Sequence, residues 1–68
     1  MNQDIAKLHD VLNRTLDLLD EACELVRPAG VEPSKETVKL LGLAIANILH
    51  ARKCVYDVEP GLRSNDEP

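Results

Sequence analysis

The sequence predicts an all-α chain, a two-helix antiparallel hairpin expected to dimerise into a four-helix bundle. Three observations predict it: two long segments with apolar residues at helical spacing, a proline- and glycine-rich break between them, and a hydrophobic complement of Leu, Ile, Val and Ala with one aromatic residue, Tyr56. Such side chains suit helix packing better than a small β-barrel. The chain has 68 residues. Cores of this size rarely contribute more than ~3–5 kcal/mol without disulfides, metal or association, so the hairpin needs help to fold.

Helix 1 is expected over about residues 3–27. Asn2 is placed to cap it and Asp4 to sit in its first turn, while Pro28 is expected to stop it. Ile5, Leu12, Leu19 and Val26 form one core row, and Leu8, Thr15 and Ala22 the other. Val11, Leu18 and Leu25 widen the stripe on one side, and Leu16 and Cys23 on the other. That apolar face is too wide for one neighbour. Asp10, Asp17, Asp20, Glu21 and Glu24 lie on the opposite face.

The segment Arg27 to Pro33 holds two prolines and Gly30, which marks a short connection between antiparallel helices. Ser34 then reads as an N-cap, with Glu36 favourable at the positive end of the dipole, for a helix 2 over about residues 34–57. At ~24 residues each helix would span roughly 36 Å. Leu40 to Ala51 carries no full charge and is apolar nearly all round, as expected of a helix in the middle of an assembly. Gly42 is a weak helix former there, costing about 1 kcal/mol relative to Ala, which a tight helix crossing could offset. Residues 1–58 thus form the hairpin and 59–68 read as a flexible tail. The apolar faces point to an oligomer interface at Leu18, Leu19, Leu41, Gly42, Ile45, Ile48 and Leu49.

The charge of −4 and pI near 4.9 disfavour nucleic acid and anionic membranes as partners. Helix 1 holds three basic residues against six acidic ones, and the cations of helix 2, Lys35, Lys39, Arg52 and Lys53, sit at its ends without interleaved aromatics. No stretch reaches the roughly 18 apolar residues of a membrane span, and Met1 to Asp4 lacks a basic leader, so a cytoplasmic protein is expected. If facing residue numbers add to about 60, Cys23 and Cys54 lie near opposite ends of the hairpin and stay reduced, acting as small core residues. His50, Cys54 and Asp57 follow one helical face with His9 near the same end, yet a lone i,i+4 pair is a weak zinc signal, and neither metal nor cofactor is expected. Ser34 and Ser64 lack an evident base and the chain has little room for a pocket, so no catalytic residues are assigned.

What remains is protein recognition. Tyr56, with Val55, Val58 and Leu62, forms a candidate anchor patch where helix 2 ends, and Asp17 and Glu24 represent the acidic face of helix 1. Each has an ordinary structural role available: Tyr56 as a cover over the open end of the bundle, the acids as a solvated face. The expected function is a small non-catalytic interaction module, a regulator or inhibitor that binds another protein as a homo-oligomer, most simply a dimer. The alternative is a ligand-sequestering oligomer in which Lys35, Lys39, Arg52 or Lys53 meet an anionic small molecule or nucleotide. In outline the hairpin resembles Rop-like RNA-binding hairpin dimers, in architecture and size but without a shared motif. That resemblance would imply RNA binding.

Overall fold

The computed structural model describes residues 3–63. Helix α1 spans Gln3–Leu25 and helix α2 spans Ser34–Val58, and the two pack against each other as a hairpin. The position of Asn2, expected to cap α1, lies outside the described residues; Asp4 stands in the first turn.

The end of α1 departs from the expectation that Pro28 stops it. Regular helix closes at Leu25, yet the Ala29 N–H still reaches the Leu25 carbonyl at 2.9 Å, so the helical turn carries on past the proline. The stop is Gly30. Its N–H bonds the Arg27 carbonyl at 3.0 Å, and the Val31 N–H reaches back to Val26 at 3.2 Å. This pair of bonds is a Schellman closure, with the glycine in the left-handed region at φ 74° where a side chain would be strained. Proline merely lacks one donor; glycine supplies the reversal.

The start of α2 is shifted by one residue. Pro33, not Ser34, is the capping residue, in extended conformation and without a side-chain cap. It follows a cis Glu32–Pro33 peptide. Two neighbours take over the capping role of the absent side chain: the Glu32 carboxylate accepts from the Ser34 N–H at 3.2 Å, and the Pro33 carbonyl accepts from the Thr37 N–H and hydroxyl at 3.1 and 2.8 Å. At the other end, where a tail was expected from Glu59, the chain makes a 3-10 turn over Pro60–Leu62 that packs on α2, with Leu62 half-buried. Residues 64–68 of the expected tail lie outside the described residues.

These two boundaries set the register. Because the turn of α1 persists to Ala29 and α2 begins at Ser34, the reversal centres near residue 32, and facing residues add to 65: His9 meets Tyr56, and Asn13 meets Arg52. The expected sum of 60 came from placing the reversal at Gly30. Cys23 and Cys54 remain far apart and unpaired, but only Cys23 is half-buried; Cys54 is exposed and is not a core residue.

The seam between the helices is built from Ile5, Leu12, Leu16, Leu19 and Cys23 of α1 against Leu41, Ala44, Ile45 and Ile48 of α2, all half-buried. Only Val26 and Val55 fall to 6% and 5% exposure among the described residues, and no side chain is fully buried. Leu8, expected in a core row, is 48% exposed. In the facing register Leu8 falls opposite Val58, the last residue of α2 and itself 73% exposed, where the neighbouring helix ends. The molecule is a rod of 44 × 21 × 20 Å, one helix pair thick.

Candidate functional site

The termini end of the hairpin gathers the chain's most organised polar cluster. His9 and Asn13 are four apart on α1, and Arg52 and Tyr56 are four apart on α2, so each pair projects from one helical face toward the other. The Arg52 guanidinium (Nη1) donates to Asn13 Oδ1 at 2.8 Å, which fixes the amide so that Asn13 Nδ2 faces His9 Nε2 at 3.4 Å. The Tyr56 hydroxyl lies 3.1 Å from the same Nε2, donating to it when that nitrogen carries the lone pair and accepting from it when it is protonated. The imidazole and phenol rings are tilted by 56° with centroids 5.4 Å apart. The four side chains are thus linked in one chain of contacts, from Arg52 through Asn13 and His9 to Tyr56.

Around the Tyr56 ring the field is positive. Arg52 and Arg63 place their guanidinium carbons 5.8 and 5.7 Å from its centroid, the latter delivered by the 3-10 turn. Beside it opens a shallow pocket of about 310 Å³ lined by Lys53, Tyr56, Asp57, Pro60 and Arg63. Two cations against one carboxylate make it an electropositive hollow on a net-acidic chain.

The residues singled out by sequence are distributed unevenly about this cluster. Tyr56 is at its centre. Val55 is buried in the seam and offers no surface, whereas Val58, 73% exposed, faces away from Tyr56 on the other flank. Asp17 and Glu24 are exposed along α1, apart from the pocket. Of the apolar positions assigned to an oligomer interface, Leu19, Leu41, Ile45 and Ile48 are half-buried in the hairpin's own seam, while Leu18, Gly42 and Leu49 are exposed. His50 is exposed on the back of α2 while His9 turns into the seam, and among the described residues no group of three or more His, Cys, Asp or Glu could hold a metal. Ser34 is the first residue of α2, and Ser64 lies outside the described residues.

Sequence reading missed the cluster itself. The signal was present: two polar i,i+4 pairs, His9/Asn13 and Arg52/Tyr56, each at the edge of an apolar stripe and on helices that must face one another. Arg63 was missed because Pro60-Gly61 announces a turn without showing that it brings the next cation back over Tyr56. No described helix is long and apolar enough to cross a membrane. Comparison with family models, with curated proteins and with solved structures finds no match.

Proposed function

We propose that the chain is a small non-catalytic interaction module, a regulator or inhibitor that pairs with a second copy of itself and recognises another protein through its termini end. The observation that carries the reading is the Tyr56 patch. A tyrosine ring held by His9 and flanked by Arg52 and Arg63 is pre-organised, so little side-chain freedom is lost when a partner closes over it. The surrounding cations favour a partner segment that is acidic, and a dimer would display two such patches, which suits a symmetric partner.

A second reading rests on the hollow beside the ring: Lys53 and Arg63 could hold an anionic small molecule or nucleotide, making the protein a sequestering module. Pull-down from the native host separates the readings. Tyr56→Ala should lose the partner that the wild type retains, while the double variant Asp17→Lys, Glu24→Lys keeps it. If Tyr56→Ala retains every partner and a nucleotide raises the melting temperature by several degrees, the ligand reading replaces the protein reading.

A further inference from the structure

The polar cluster marks one flank of the helix seam; the other flank is different in kind. Following 100° per residue from the half-buried row of α1, the stripe away from His9 and Asn13 runs through Leu8, Val11, Leu18 and Leu25 with only Thr15 and Ala22 between them. On α2 the stripe away from Tyr56 runs through Leu40, Ala44, Asn47, Ala51 and Val58. Because the helices are antiparallel, these two stripes lie on the same side of the hairpin. The register aligns Leu25 with Leu40 at the loop end and Leu8 with Val58 at the termini end. Between Leu8 and Leu25, and between Leu40 and Val58, neither stripe holds a charged residue; Asp4 and Lys7 border the face at the termini end. Of the large apolar side chains left exposed among the described residues, only Val31 in the connection and Leu49 lie elsewhere; Leu43 borders the face.

We propose that this charge-free flank, centred on Leu18, is the surface on which a second copy of the chain docks. The proposal rests on the dimer reading given above and assigns its interface. Three quantities favour a second copy. A folded monomer of 7.5 kDa exposes about 4,250 Å² by the scaling of surface with mass, whereas this chain exposes 5354 Å². That excess of about 1,100 Å² is of the order of the ~800 Å² that a standard interface covers on each partner. The radius of gyration, 14.7 Å, likewise exceeds the roughly 11 Å of a compact domain of this length. With only Val26 and Val55 buried among the described residues, the core is incomplete wherever the chain is folded, and a partner present in every such setting is the chain itself. The opposite flank, with Gly42 and Leu49, stays outside the interface in this arrangement. A Cβ added at Gly42 meets nothing within 4 Å.

Thiol labelling reads the face without breaking the fold. With Cys23 and Cys54 replaced by Ala, single Leu18→Cys and Leu49→Cys chains are reacted with a maleimide at tens of micromolar protein, and mass is followed by light scattering. The expected result is a dimer in both, with Leu18→Cys labelling at least tenfold more slowly. Gly42→Ala provides a second reading: it should raise the melting temperature by several degrees at unchanged mass, since a helix-favouring residue is added where nothing packs. Equal labelling at the two sites within a dimer, or a Gly42→Ala chain that melts lower and dissociates, would move the interface to the other flank while leaving the dimer standing. A folded wild-type monomer would remove both.

Discussion

The two flanks of the helix seam solve the same problem in opposite ways. On one, the chain closes its own accounts: Asn13, His9, Tyr56 and Arg52 satisfy one another across the helices, and Arg63 returns from the 3-10 turn to cover the ring. On the other, Leu18 and Leu25 of α1 and Leu40 of α2 remain more than half exposed, and no described residue covers them. Polar groups can be matched pairwise by a hairpin, because a hydrogen bond needs one partner at one distance. Apolar burial needs neighbours all round, and two helices provide them only along a line. A short hairpin can thus satisfy its polar groups locally and still leave a wide apolar face uncovered.

The largest effects are expected at the seam that both flanks share. Leu19→Asp or Ile45→Asp places a carboxylate in the seam common to both flanks, at a cost of about 3 kcal/mol or more, a large share of what a chain this small can have. Circular dichroism should show loss of helix and not merely a smaller assembly. On the polar flank, Tyr56→Ala removes the ring, its bond to His9 and the platform for two guanidinium groups. A loss of about 1–2 kcal/mol in chemical unfolding is expected, with the fold retained. His9→Ala should cost less than Tyr56→Ala, since it leaves the ring and its cations in place. A larger loss for His9→Ala would show that the imidazole and not the phenol holds the cluster.

Smaller effects sharpen the account of the connection. Gly30→Ala should cost about 1 kcal/mol, entirely through the left-handed backbone, because the added Cβ would meet no atom within 4 Å. If Pro28 were the stop signal, Gly30→Ala would be nearly silent. Smallest of all is the exposed Arg14–Asp10 pair at 3.1 Å, four apart on α1: Arg14→Ala should move stability by no more than about 0.5 kcal/mol, and less in high salt.

The hairpin was legible because periodicity and breakers are local signals: Ile5 to Val26 and Leu40 to Val55 announce helices, and Arg27 to Pro33 announces a reversal. The register was less legible, and for a definite reason. Pro28 is the louder symbol, but a proline late in a helix removes one donor without reversing the chain, and the reversal waited for Gly30 and Val31. Ser34 misled in a similar way, since Glu32 and Pro33 supply the capping contacts that its hydroxyl was expected to make. Tyr56 stood out by being the single aromatic residue, but its partners depend on the register, so an error of five in the facing sum was enough to hide His9 and Asn13. The apolar width of α1 was plain, whereas its division into a seam and an outer flank required knowing where α2 lies.

On the proposed reading this hairpin is half of a core. Sedimentation equilibrium across a dilution series, with helix content followed by circular dichroism on the same samples, tests it directly. The account predicts twice the 7.5 kDa chain mass at micromolar concentration, with dissociation on dilution accompanied by loss of helix and a melting temperature that rises with protein concentration. A helical 7.5 kDa monomer whose melting temperature does not depend on concentration would contradict it.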